Sequence, residues 1–292
     1  MIKYNPKTWF GQIFLFPKSD TLRILWLEMV IIGIITGGIL WIIDHYFADT
    51  VHKFKNTISV HSLVGVVMGL FLVFRTNTAY DRWWEGRRLW GALVNCSRNA
   101  SFKISHFITG NSDLKSELLF WLQKYPIAVK DHLRDNASYE NAGLEKDQIK
   151  ILGDISHLPN AIANRIYALL KKALAAKEIS GDELVLIDRE IQQLTDIVGA
   201  CERIRSTPIP YSYSLFMKKF IFIYCISLPI GLIPDFRIWA IPITMFIFYI
   251  MVSLEVLAEE IEDPFGLDEN DLPTDEIADR IANNIREIAG QK

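Results

Sequence analysis

Stretches without a full charge recur at four places along the chain, separated by charged and aromatic-rich segments. The longest, Asn56 to Phe74, is nineteen residues without Asp, Glu, Lys or Arg, close to the roughly 20 apolar residues that cross a bilayer core. Met29 to Ile43, Phe220 to Pro234 and Ile238 to Leu254 are shorter, and any one alone would also suit a buried core helix. Four together, with Trp26, Trp41 and Trp239 near their ends as in interfacial aromatic belts, predict membrane helices.

Within the longest stretch Ser62, Val66, Leu70 and Phe74 recur every four residues and so share one helical stripe. One reading is helix packing, with Gly65 and Gly69 as a GxxxG contact. The other lets the glycines pack against a neighbour while Val66, Leu70 and Phe74 face an axis. Val66 and Phe74 lie about 12 Å apart along a helix rising roughly 1.5 Å per residue. Several copies around an axis would form an apolar constriction of that length, able to gate by dewetting. This reading requires a ring-forming oligomer.

A basic block begins where the stripe ends. Arg75, Asp81, Arg82, Glu85, Arg87 and Arg88 are interleaved with Tyr80, Trp83, Trp84 and Trp90. The aromatics suit a membrane interface, and an unpaired guanidinium such as Arg75 would attract anions at an ion-path entrance. His61, near the other end of the same helix, is either a hydrogen-bonded histidine or a pH-sensing group at the entrance to that path.

Residues 75–219 read as helical: Leu118, Leu119, Trp121, Leu122, Tyr125 and Ile127 cluster at near-helical spacing. So do Ile162, Ile166, Leu169 and Leu170, and then Leu184, Leu186, Ile187, Ile191, Leu194 and Ile197. Asn136 to Asn141 and Gly153 to Pro159 read as loops, and Pro208-Ile-Pro210 stops a helix ending near Ile204. The predicted fold is an all-α membrane protein with four transmembrane helices and a helical cytoplasmic part. Its divisions are 1–74 (an N-terminal segment and helices at about 22–47 and 56–74), 75–219, 220–254 and 255–292, in one integrated fold.

Charge sets the orientation. Lys3, Lys7, Lys18 and Arg23 precede the first segment, the four arginines of the basic block follow the second, and Lys218-Lys219 precede the third. Positive residues near membrane ends mark the cytoplasmic side, so both termini and residues 75–219 are expected there. The overall charge of −3 hides an asymmetry: residues 255–292 hold twelve acids against Arg280, Arg286 and Lys292. That segment reads as a solvated acidic tail or as an ion-facing one.

Other chemistry is sparse. Three cysteines without CxxC spacing suit reduced thiols, and six histidines fall in no metal-motif spacing. No Walker loop, HExxH or GxSxG occurs, so an enzyme is not expected. Glu202 and Arg203 read as a structural ion pair. No basic stripe with stacking aromatics outside the membrane flank points to nucleic acid. A secondary transporter would place broken helices in both halves, whereas Pro229 and Pro242 interrupt only the last two segments.

Phe74-Arg-Thr-Asn-Thr-Ala-Tyr-Asp-Arg-Trp-Trp-Glu-Gly-Arg87, Cys201-Glu-Arg-Ile-Arg-Ser-Thr-Pro-Ile-Pro-Tyr211 and Glu262-Asp-Pro-Phe-Gly266 resemble the motifs of the bestrophin family, its bacterial members in particular. The resemblance implies a homopentameric channel in the inner membrane whose partners are its own copies, lipid and small monovalent ions. Chloride-like anions are the family's usual cargo; some bacterial relatives resemble cation channels, and a membrane-anchored sensor or a transporter is the remaining alternative. It implies a neck at Val66, Leu70 and Phe74, the same three residues as the stripe. A cytoplasmic aperture is implied at Arg205 or its neighbour Ile204. In animal members calcium is held by acids after an Asn-Pro-Phe-Gly segment. The corresponding candidates are Asp263, Asp268, Glu269 and Asp271, but Leu267 and Asn270 replace acids there, thinning the oxygen ligands a hard cation needs. No cofactor is therefore expected to be required, with calcium the one candidate.

Overall fold

A computed structural model describes residues 21–47, 56–136, 143–153 and 156–290, all helix, turn or loop and without a strand. The helices are α1 (Thr21–Tyr46), α2 (Thr57–Phe107), α3 (Ser112–Leu133), α4 (Lys146–Leu152), α5 (Leu158–Ala175), α6 (Gly181–Ser206), α7 (Tyr211–Phe236), α8 (Ala240–Glu262) and α9 (Thr274–Ile288). Lys3, Lys7 and Lys18, the connection at 48–55, and the predicted loop residues 137–141 and 154–155 lie outside the described residues.

Two compact units divide the chain. The first comprises the chain to Trp83, Pro208–Asp263 and Asp268–Asn270. Three helical stretches here have the length and apolarity to cross a membrane: α1, α2 and Tyr211–Glu262. The last is two helices, α7 and α8, joined by a 3-10 turn at Arg237–Trp239 and packed against each other. Arg237 takes a left-handed φ of 51°, ends the α7 ladder, and pairs with Asp44 at 2.8 Å. The predicted segments at 220–234 and 238–254 thus fall in separate helices. Pro242 sits in the first turn of α8 and breaks nothing, since the N–H it lacks has no helical acceptor there. Helix α1 packs on both α7 and α8, and a shared core gathers Ile32, Met68, Leu72, Met217, Ile221, Cys225, Leu228 and Phe248. Trp26, Trp41 and Trp239 are exposed, as interfacial anchors require.

Helix α2 runs without a break through the expected boundary at Phe74, and the two units divide at Trp83/Trp84 instead. Nothing between 57 and 107 is a proline, so no residue interrupts the hydrogen-bond ladder where polarity changes. Polarity marks an environment here, not an element end.

The second unit comprises Trp84–Thr207, Pro264–Leu267 and the chain from Asp271. Its core joins Leu118, Leu122, Tyr125 and Val129 of α3, Ile162, Ile166 and Leu169 of α5, and Ile187, Ile191 and Leu194 of α6. Pro159 belongs to the first turn of α5, not to a loop, where proline's missing donor costs nothing. Helix α6 reaches Ser206, and Ser180 caps its start by accepting from Glu183 N at 3.2 Å.

The acidic C-terminal segment is not a tail. Ile277, Ala278, Ile281, Ala282 and Ile285 form the buried face of α9 against α3, and Glu276, Asp279 and Arg280 point outward. Summed charge masks this four-residue apolar repeat. Arg134 fixes the start of α9, donating to Asp275 Oδ2 and Thr274 Oγ1, each at 2.8 Å. Burial would raise the Asp275 carboxyl, but hydrogen bonds from Lys130 and Arg134 outweigh it and hold the group below the usual carboxylate range.

Candidate functional site

On α2 the two faces differ sharply. His61, Met68, Leu72, Arg75 and Ala79 point inward at steps of seven, four, three and four residues, with Met68 at 0% and Leu72 at 2% exposure. Opposite them Val66, Leu70 and Phe74 stand 73%, 57% and 55% exposed. The predicted stripe is therefore part of a broader exposed apolar face of the subunit that also carries Leu63, Val67 and Val73. Only half of the GxxxG reading holds within the chain. A Cβ on Gly65 would lie 2.9 Å from Tyr224 Oη, while Gly69 has nothing within 4 Å.

Arg75 is not the unpaired guanidinium expected at an ion-path entrance. It is fully buried, donating from Nη2 to Glu262 at 2.8 Å and approaching Glu255 at 3.5 Å. The helix turn that aims Phe74 outward aims Arg75 inward, because neighbouring residues are about 100° apart on a helix. His61 is also buried, with Nδ1 2.9 Å from Thr57 O and Nε2 3.1 Å from Ser227 Oγ. It is hydrogen-bonded within the subunit.

The segments quoted for the family resemblance converge on one carboxylate. Glu262 receives Arg75, accepts from Ile209 N at 2.7 Å, and offers its backbone carbonyl to Arg82 Nε at 2.9 Å. Within the second unit, a Cβ on Gly86 would come within 3.1 Å of Pro264 and 3.2 Å of Phe265. A side chain there would push Pro264 or Phe265 back by a few tenths of an ångström, so the glycine favours the close approach. Each of the quoted strings is thus half of a contact.

Arg205 and Ile204 part company. Ile204 is buried in the second unit, whereas Arg205 reaches the surface, paired with Asp135 and donating to the His132 carbonyl at 3.1 Å. Arg205 lines an open cleft of about 270 Å³ with His132, Leu133, Glu202 and Ser206. Its guanidinium hydrogen bond holds the Asp135 carboxyl below the usual range.

Glu202 and Arg203 do not pair with each other. Arg203 binds Glu85 at 2.7 Å, and Glu202 meets His132 and His157, each at 2.7 Å. This histidine pair is invisible to motif spacing, since 25 residues separate its members. Among the described residues it belongs to the only trio of His, Cys, Asp or Glu whose ligand atoms gather within 4.8 Å. The calcium candidates form no such trio: Asp263 and Asp268 are exposed, Glu269 is half-buried and Asp271 is buried.

Cys96, Cys201 and Cys225 are all free and buried. Burial first, then the charges of Glu202 and Glu85, push the Cys201 thiol up to about 12. Since the thiolate is the reactive form, maleimide at neutral pH is expected to label none of the three in the native protein. Mass spectrometry before and after denaturation checks this; native labelling of Cys201 would contradict its placement.

Apolar helices in the first unit, tryptophans at their ends and a basic block beyond α2's apolar face define a multi-helix membrane protein. The model of the family described as Bacterial/Fungal Bestrophin protein matches residues 1–287, and the chain belongs to that family. It is similar to the voltage-dependent anion channel-forming protein sll1024 of Synechocystis sp., with 34% identity over 244 residues, 81% of this chain and 79% of that protein. The protein of the same description, alr2987, of Nostoc sp. is 34% identical over 230 residues, 76% of this chain and 75% of that one. A crystal structure of a bacterial bestrophin homologue from Klebsiella pneumoniae, in a point-mutant form, superposes with a TM-score of 0.83 at 26% identity. The match covers 91% of this chain and 99% of that one. Family membership makes this a membrane channel protein and not an enzyme.

Proposed function

We propose that the protein is a homopentameric anion channel, with Val66, Leu70 and Phe74 of each copy forming its apolar neck. The observation that carries the reading is the two-faced character of α2, its inner face packed and its outer one a bare apolar stripe. Copies arranged around an axis would present that stripe to one another across a narrow passage, where apolar walls gate by dewetting. Relatives named as anion channel-forming support the ion class. Such a neck carries no charge filter, so the sign of the permeant ion must be chosen elsewhere. Arg205, at the cleft, is the residue we assign to the second constriction, in preference to the buried Ile204. The basic flank of α2 and Lys218-Lys219 support a cytoplasmic location for the second unit and both termini, with the helices in the inner membrane. Conduction is expected without calcium.

Recording from purified protein in planar bilayers under a potassium chloride gradient tests the reading. Unitary steps reversing toward the chloride equilibrium potential are expected, and Arg205→Glu should move that reversal toward potassium. A carrier-like flux without unitary steps would end the channel reading; an unmoved reversal in Arg205→Glu would remove Arg205 from the path.

A further inference from the structure

We propose that His132, His157 and Glu202 bind a divalent transition-metal ion of the zinc class. The three side chains come from three helices: the last turn of α3, the N-cap of α5 and the last turns of α6. Both imidazole Nε2 atoms lie 2.7 Å from the same oxygen, Glu202 Oε1. The rings face each other at 4.2 Å with 34° between their planes. One carboxylate oxygen can accept both contacts, and its doing so brings all three ligand atoms together. Convergence on one oxygen marks a single point in space.

Ligand chemistry selects the ion. Two imidazoles and one carboxylate suit zinc and its neighbours, while calcium and magnesium take oxygen ligands. Bonds of about 2.0–2.1 Å around a tetrahedral ion set ligand atoms about 3.3 Å apart, so each 2.7 Å contact needs to open by little more than about half an ångström. All three side chains are partly exposed, which permits that adjustment. Glu202 and His132 line the open cleft, through which the ion enters and from which water fills a fourth position. The nearest arginines are engaged elsewhere, Arg205 with Asp135 and Arg203 with Glu85, leaving the carboxylate to the cation. One bond is exchanged: His157 Nδ1 accepts from Asn160 N at 3.2 Å, and coordination through Nε2 puts the ring proton on Nδ1, releasing that cap. The start of α5 therefore responds to the metal.

Metal binding does not depend on the channel reading and is measured apart from conduction. Full-length protein stripped with a chelator is titrated with cobalt(II), a visible stand-in for zinc. One equivalent per chain with four-coordinate d–d absorption is expected, bleached by zinc and not by calcium. His132→Ala and His157→Ala should each abolish the band, and Glu202→Gln, which keeps shape and an acceptor oxygen, should weaken affinity at least about tenfold. No cobalt signal in the wild type, or one that survives the histidine substitutions, overturns the proposal. Should the alanine variants fail to fold, undiminished affinity in Glu202→Gln overturns it equally.

Discussion

Glu262→Ala is expected to lower stability by about 3–5 kcal/mol, the loss that follows when one partner of a buried ion pair is removed. Arg75 has no exposed surface, and Glu262 supplies its short contact at 2.8 Å. Without that carboxylate the guanidinium keeps Glu255 at 3.5 Å, too long to compensate a charge held out of water. The same substitution strips the Ile209 amide of its 2.7 Å acceptor. Glu262→Gln keeps an acceptor for Ile209 and a dipole for Arg75, so it should fall between wild type and alanine. Denaturant or thermal unfolding in detergent, followed by tryptophan fluorescence, reads both. A change below about 1 kcal/mol in the alanine variant, the range of exposed pairs, would mean that Arg75 finds water or another partner.

Replacing Val66, Leu70 and Phe74 together by serine is expected to raise single-channel conductance or open probability several-fold. Each change shortens or wets the stripe while leaving the inner face of Met68 and Leu72 intact, so folding should survive. Water tolerated along the passage removes the dewetting barrier. Ile223→Ser on α7, equally exposed, serves as the comparator and should leave currents unchanged. Identical currents in both variants would assign the stripe to lipid or subunit packing.

Much of this is legible from pattern alone. The four apolar segments and the shared stripe of Val66, Leu70 and Phe74 follow from charge-free length and four-residue spacing, both local properties; that the stripe is exposed is read only from the structure. Arg75 misleads because a charge in a sequence carries no account of its surroundings: whether a guanidinium meets solvent or Glu262 depends on residues nearly two hundred positions away. His132, His157 and Glu202 share the same difficulty, having no spacing signature at all. In α9 the sign of the charges draws attention from the isoleucines at 277, 281 and 285, although their repeat is readable. Ile204 and Arg205 differ by one position, and only packing against the second unit's core separates them.

The docking of α9 on α3 also sets an order in time. Ile277, Ile281 and Ile285 are made some 150 residues after the α3 side chains they close over. Until α9 emerges, that greasy seam on α3 stays open to water or to a chaperone. A premature stop before Thr274 would leave a sticky, degradation-prone product instead of a trimmed one.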